Sequence, residues 1–71
     1  MEGKSLYEIG QVLYTIDAHK IKSFTVESVA IYIYKDKTTV YYREAKEYGV
    51  GELYDEKHCF PTKEMLLKSL D

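Results

Sequence analysis

The adjacent pair His58-Cys59 is the one place in the sequence where a nucleophile or a metal ligand could be expected. A zinc site needs three or four ligands at suitable spacing, and the sole other histidine is His19. A Cys–His catalytic pair needs its two side chains to meet, whereas adjacent residues in an extended segment point apart. We therefore predict no metal site and no catalytic residue, with Cys59 a small buried hydrophobe beside Phe60 and His58 in solvent.

Carboxylates are plentiful in the second half of the chain, but their pattern does not predict an active site. A general acid–base pair would need two carboxylates in a cleft that excludes water, and here they alternate with Lys46 and Lys57, as on a solvated face. Gly49-x-Gly51 lies between predicted strands rather than before a helix, so it does not predict a nucleotide site. We expect a protein that is not an enzyme and holds no cofactor. The carboxylates are Glu44, Glu47, Glu52, Asp55 and Glu56.

Tyrosine is the more informative residue type, with eight copies beside two phenylalanines and no tryptophan. Tyr32, Tyr34 and Tyr41 are predicted to share the outer face of a hairpin with Arg43. Tyrosine and arginine are enriched at binding hot spots because they bury a large, rigid area and keep a polar group. These four residues form the candidate partner-binding site. The alternative is that the tyrosines only cover the hairpin or pack under the C-terminal helix, since strands are rich in tyrosine.

The element that would position these tyrosines runs from Lys20 to Arg43 and reads as two long antiparallel strands joined by a turn at 35–38. Apolar residues change phase along the first strand, and irregularities near Lys22-Ser23 and near Glu27-Ser28 would return them to one side, as β-bulges do. With a two-residue tip, the predicted cross-strand pairs are Ile33 with Val40, Tyr32 with Tyr41, and Ile31 with Tyr42.

The remaining elements complete one small domain, residues 1–71. We predict a first strand over 11–16, a fourth over 52–55, a loose terminus over 1–5 and a helix over 62–70 with Thr62 as its N-cap. The predicted fold is mainly β, a strongly bent antiparallel sheet of four to five strands with a short C-terminal helix that covers one end. The predicted core is Val12, Tyr14, Ile16, Phe24, Val26, Val29, Ile31, Ile33, Val40, Tyr42, Leu53, Cys59, Phe60, Leu66 and Leu70.

Four features follow one another along the chain: Ile9-Gly10-x-Val12, the long bent strand from Ile21 to Tyr34, the pair Tyr41-Tyr42, and the run from Cys59 to Glu64 before a leucine-rich end. In this order they resemble a group of small SH3-like barrel proteins, common in phage and prophage genomes of low-GC Gram-positive and related gut bacteria. The resemblance implies an SH3-like barrel and a mobile-element origin. That group is largely uncharacterised, so no catalytic residue is implied.

Charge and cysteine content narrow the classes of partner and compartment. Ten basic and twelve acidic residues are interspersed, the net charge is −2, and Arg43 is the only arginine. This disfavours nucleic-acid binding, which normally depends on clustered cations. A single cysteine suits a reducing compartment. No apolar run reaches the length of a membrane span and the polar start lacks a signal-peptide core, so we expect a soluble, cytoplasmic protein that does not bind membranes.

The expected function is a small protein-interaction module that binds a protein partner or self-associates through its tyrosine-rich face. The alternative is a small barrel that binds single-stranded nucleic acid, with tyrosines stacked on bases and nearby cations on phosphates. The cations of that alternative are Lys20, Lys22, Lys35, Lys37 and Arg43.

Overall fold

A computed structural model describes residues 5–70 of the chain. Four strands pair antiparallel in the order β1-β2-β3-β4 and form a strongly curled half-barrel sheet, which confirms the predicted fold class. The predicted loose terminus lies outside the described residues except for Ser5. The elements are β1 (Val12–Asp17), β2 (Lys20–Ile33), β3 (Thr38–Glu44), β4 (Leu53–Asp55), a turn of 3-10 helix (Glu56–His58) and α1 (Lys63–Ser69).

The sheet curls because β2 changes its partner half-way along. Its first half pairs with β1 and its second half with β3, and the register of the second pairing shifts between Val26 and Ser28. This shift confirms the predicted irregularity at Glu27-Ser28. The irregularity predicted near Lys22 is wrong, because the β1–β2 register is regular throughout. As a result Ile21 stays on the outer face and Lys22 faces inward.

The chain after β4 returns to the free edge of β1. Phe60 and Tyr14 exchange two backbone hydrogen bonds, of 2.8 and 2.9 Å, so the 3-10 turn leads the chain across the open side of the half-barrel. The helix follows at once, and the Thr62 hydroxyl accepts a hydrogen bond from the Met65 N–H at 3.2 Å, which confirms the predicted N-cap.

The hairpin between β2 and β3 differs from its predicted register by two residues. Ile33 lies opposite Thr38 rather than Val40, and the Tyr34 N–H donates to the Lys37 carbonyl at 2.7 Å to close a four-residue loop. The predicted tip contains no glycine or asparagine, which a two-residue turn prefers. A shift of two residues leaves every side chain on its predicted face. The pairs that replace the predicted ones are Ile31 with Val40, Ala30 with Tyr41, and Val29 with Tyr42.

The predicted phase of β1 is wrong. Leu13 and Thr15 face the core and are buried, while Val12 and Ile16 face outward. Thr15 can be buried because its hydroxyl donates to the His58 carbonyl at 2.8 Å. The outward face of β1 is not simply solvated: Ile16 lines a cleft of about 330 Å³ together with residues of the C-terminal segment.

The core is smaller than the predicted one. Six of the predicted core residues are buried, three are half-buried, and six are exposed. On α1, only Leu66 is buried. The buried ones are Phe24, Val26, Val40, Tyr42, Cys59 and Leu66; the half-buried ones are Tyr14, Val29 and Phe60; the exposed ones are Val12, Ile16, Ile31, Ile33, Leu53 and Leu70.

Candidate interaction surface

The outer part of the β2–β3 hairpin extends beyond the rest of the sheet. The pairing of β1 with β2 ends at Thr25, and β4 pairs only with Tyr41–Arg43. We call residues 28–41 the hairpin arm; its last residue, Tyr41, also pairs with β4. The radius of gyration is 12.5 Å, against about 11 Å for a compact chain of this length, as expected when part of a sheet projects.

Apolar side chains of the hairpin arm are exposed on both of its faces. Ile31 and Ile33 lie on the face that continues the core, and they are 37% and 58% exposed. Tyr32 and Tyr34 lie on the other face and are 46% and 54% exposed. Nothing among residues 5–70 covers either face at the end of the arm. The hairpin arm is therefore an apolar surface of the kind that marks binding sites.

Two of the four predicted site residues come into contact. The rings of Tyr32 and Tyr41 meet edge-on, with centroids 5.7 Å apart and planes at 71°. This geometry is favourable for an aromatic pair, and it fixes both rings on the outer face. Tyr34 lies apart at the end of the arm, where the Lys37 Nζ is 5.6 Å from its ring centroid. The arm thus presents one preformed aromatic pair and one ring beside a cation.

Arg43, the fourth predicted site residue, is engaged within the chain. Its Nη1 donates to the Gly51 carbonyl at 2.8 Å. Gly51 is buried, and a Cβ at this position would collide with the carbonyl oxygen of Glu44, so only glycine fits. Arg43 therefore fastens the loop between β3 and β4 to the sheet, next to the aromatic pair.

The prediction of a solvated carboxylate face is wrong for Glu44. This residue is buried, and its two oxygens lie 3.1 and 3.0 Å from the Lys22 Nζ, which also donates to the Tyr54 hydroxyl at 2.9 Å. The hydrogen bonds that Lys22 donates to the Tyr54 hydroxyl and to Glu44 favour its charged form and raise its pKa. A lysine held in its charged form is not a nucleophile, so this cluster stabilises the fold.

A second internal cluster joins the N-terminal segment to the sheet. The Tyr42 hydroxyl donates to Glu56 Oε2 at 2.5 Å, and it accepts from the Tyr7 N–H at 3.2 Å. The Leu6 N–H also donates to Glu56 Oε2, at 2.9 Å. Burial, with the hydrogen bond to Glu56, raises the pKa of Tyr42. Glu56 therefore has structural partners and is not on a solvated face either.

The first of these clusters was missed because sequence reasoning assigned the wrong phase to Lys22. Lys22 has the same strand parity as Phe24 and Val26, and Glu44 has the same parity as Val40 and Tyr42. Two opposite charges on apolar faces of neighbouring strands are a signal for an internal ion pair. The predicted bulge near Lys22 removed that signal.

No protein-family model, curated protein or solved structure matches the chain. The resemblance to SH3-like barrel proteins of phages therefore stays a prediction. Among residues 5–70, no cluster of histidine, cysteine and carboxylate side chains is large enough to hold a metal ion. Over the same residues, no helix has the length and apolar character that crossing a bilayer requires.

Cys59 and His58 lie where the sequence placed them. Cys59 is 3% exposed, and burial, followed by the charges of Asp55 and Glu56, raises the pKa of its thiol to about 12. A thiol with this pKa contains almost no thiolate at neutral pH, so it is a poor nucleophile. The His58 side chain is exposed. The hairpin arm is left as the best-supported functional surface.

Proposed function

We propose that the chain is a small, non-enzymatic protein-interaction module and that the hairpin arm is its contact surface. One observation carries this proposal: apolar side chains stand exposed on both faces of a strand segment, 28–34, that contains no charged residue. Water is a poor solvent for such a surface, and a protein partner would remove it from water. A reducing compartment such as the cytoplasm suits the single, buried thiol of Cys59.

The two faces of the arm supply different contacts. The Tyr32–Tyr41 pair offers rigid aromatic area with two hydroxyl groups, and residues of this kind dominate many interfaces. Ile31 and Ile33, on the other face, offer aliphatic area that continues the hydrophobic core. We expect a partner that places apolar side chains against these residues and polar groups at the tyrosine hydroxyls.

Binding of single-stranded nucleic acid is the weaker alternative. It requires free cations beside the tyrosines, but Lys22 lies in the internal cluster with Glu44 and Arg43 bonds the Gly51 carbonyl. Within residues 5–70, Lys37 is the one cation in contact with a ring of the arm, that of Tyr34. The net charge of −2 also opposes binding to a polyanion.

The proposal is tested by removing the aromatic pair. The double substitution Tyr32→Ser and Tyr41→Ser is expected to weaken association at least tenfold, because it removes two large contact side chains. Association is measured as solution mass by light scattering, and as capture of partners by the tagged chain. Tyr48→Ser is the matched control, since Tyr48 is 83% exposed but lies outside the arm.

Circular dichroism checks that each variant is folded. If the double variant associates as strongly as the native chain, or if Tyr48→Ser weakens association equally, the hairpin arm is not the contact surface. Steep loss of oligonucleotide binding with added salt, in a chain that binds oligonucleotides, would instead favour the nucleic-acid alternative.

A further inference from the structure

Among residues 5–70, no strand lies beside the edge of β2 along the hairpin arm. Residues 28–33 pair with β3 on one side only, and the last backbone bonds on the other side join Val26 to Gly10 and Gln11. No backbone or side-chain hydrogen bond from residues 5–70 reaches that edge beyond Val26. Proteins normally protect such an edge with a lysine, a proline or a covering loop, and this segment has neither charge nor proline.

The direction of the backbone groups on this edge follows from the hairpin loop. The Tyr34 N–H points toward β3, since it donates to the Lys37 carbonyl. Hydrogen-bonding direction alternates along an antiparallel strand, so the N–H and C=O groups of Val29, Ile31 and Ile33 point away from β3. These are three consecutive sites at which another strand could pair.

We propose that the edge of β2 pairs with the same edge of a second copy of this chain, antiparallel and with Ile31 at the two-fold axis. This inference rests on the proposed function and names its partner. In this register the residue numbers of each pair add to 62. Ile31 lies opposite Ile31, and Val29 lies opposite Ile33, so every outward-pointing backbone group is paired.

Charge complementarity supports this partner and this register. In the same pairing, Glu27 of one copy, at the bulge, comes near Lys35 of the second copy, in the loop after β2, and the symmetry makes this contact twice. Both side chains are exposed, and neither forms an ion pair among residues 5–70. The two ends of the uncharged segment thus carry opposite charges at matching distances from Ile31.

The pairing also buries the aliphatic face of the arm. Antiparallel pairing about Ile31 places odd-numbered residues opposite odd-numbered residues, so Val29, Ile31 and Ile33 of the two copies lie on one continuous face. That face continues the core, where Ile31 and Ile33 are now exposed. On the other face, Tyr32 lies opposite Ala30, which leaves space for its ring.

A charge exchange tests the register. Glu27→Lys places two lysines opposite each other at both ends, and we expect the dimer to dissociate roughly tenfold more readily. Adding Lys35→Glu to the same chain restores opposite charges and is expected to restore dimerisation. The two residues lie at opposite ends of the uncharged segment 28–34, so a contact within a single chain cannot produce the rescue. Light scattering and sedimentation over a range of concentrations measure the dissociation constant.

Glu47→Lys is the matched control, because Glu47 is exposed in a loop and the change in net charge is the same. Hydrogen exchange gives a second measurement. The amides of Val29, Ile31 and Ile33 are expected to exchange more slowly as concentration rises, while those of Ala30 and Tyr32, which face β3, stay protected throughout.

The outcomes separate this inference from the proposed function. Rescue by the double exchange, with slowed exchange of the edge amides, supports pairing of two copies. If the chain dimerises and the charge exchange does not change its dissociation constant, the β2-edge pairing is overturned. The arm remains a contact surface in that case if Tyr32→Ser with Tyr41→Ser still weakens association. A chain that stays monomeric and captures another protein through the arm overturns only the pairing. If no variant weakens either dimerisation or the capture of another protein, both the β2-edge pairing and the proposed function are overturned.

Discussion

The strand β2 passes through two regions that differ in how they are covered. In the first, which we call the closed end, residues 20–25 of β2 pair with β1, Phe60 joins the far edge of β1, and Phe24 is buried. In the second, the hairpin arm, the same strand pairs with β3, and among residues 5–70 no strand lies on its other side. In both regions successive residues alternate between the two faces of the sheet, but in the arm both faces carry apolar side chains. Parity therefore determines which face a residue occupies and does not determine whether that face is covered.

The closed end and the hairpin arm also differ in how their charged side chains are paired. At the closed end, an inward-facing cation, Lys22, is matched by Glu44 and by the Tyr54 hydroxyl. In the hairpin arm, the segment 28–34 has no charge at all, and the charges nearest to it, Glu27 and Lys35, are exposed without an ion-pair partner in residues 5–70. The closed end buries its apolar groups and pairs its inward-facing charge, whereas the apolar side chains of the arm stay exposed.

The largest expected effect compares one aliphatic side chain from each region. Leu13→Ala empties a completely buried site and is expected to lower the free energy of unfolding by about 2–5 kcal/mol. Ile33→Ala, at a site that is 58% exposed, is expected to lower it by at most about 1 kcal/mol. Urea denaturation at a concentration where the chain is monomeric measures both values.

The same two variants should change association in the opposite order. Ile33→Ala removes aliphatic surface from the arm and is expected to weaken self-association, while folded Leu13→Ala should associate as the native chain does. Equal losses of stability would mean that the arm is covered in solution by part of the chain, and the contrast between the two regions would not hold.

Alkaline pH is expected to destabilise the closed end. The fold raises the pKa of Cys59 from 9.0 to about 12 and also raises those of Tyr42 and Lys22. In each case the protonated form is favoured in the folded state, so its contribution is complete below the pKa of the unfolded chain and is lost as pH rises above it. Stability should therefore fall from about pH 9 upward, and Cys59 alone accounts for up to about 1.4 kcal/mol per pH unit.

The substitution Cys59→Ala removes the contribution of the thiol, which is the part of the alkaline loss of stability that begins at the lowest pH. The variant is less stable at pH 7, but between pH 9 and 10 its stability should fall less steeply than that of the native chain. Urea denaturation at a series of pH values gives both slopes. Parallel slopes would show that the thiol ionises as easily in the folded chain as in the unfolded one, and that its burial is incomplete.

The sequence predicts well those features that depend on neighbouring residues. The bulge at Glu27-Ser28 follows from a phase change, and the helix start follows from the capping hydroxyl of Thr62. The exposure of Tyr32 follows from its parity in the hairpin. Local signals of this kind were also enough to predict a strongly bent sheet, because a long strand with a bulge must change direction.

The features that the sequence predicted wrongly depend on contacts with distant parts of the chain. β1 has apolar residues on both faces, and its orientation is decided when Phe60 pairs with Tyr14 and the His58 carbonyl accepts from Thr15. The inward position of Lys22 is decided by Glu44, which arrives on another strand. The candidate site shows the same division. Parity predicted that Tyr32 and Tyr41 share one face, but the predicted direct pairing was wrong, and the two rings meet diagonally. The open edge beside them depends on where β1 stops.

The two turns at the ends of β2 give the smallest expected effect. In the turn between β1 and β2, Ala18 and His19 both have positive φ, of 50° and 65°, as a two-residue type I′ turn requires. The register of this hairpin is fixed by Leu13 opposite Phe24 on the buried face, so the connection must accept this conformation. The loop at the other end has no such constraint and spans four residues, none of which has positive φ.

Replacing Ala18-His19 by Asn-Gly is therefore expected to stabilise the fold by about 1 kcal/mol, because these residues adopt positive φ at little cost. The same replacement of Asp36-Lys37 should give no gain and a small loss, since glycine there only adds freedom to the unfolded chain. Thermal and urea denaturation of both variants measure the difference. If both replacements stabilise the chain equally, the arm adopts the tight turn in solution, Ile33 then pairs with Val40, and the two ends of β2 are built alike.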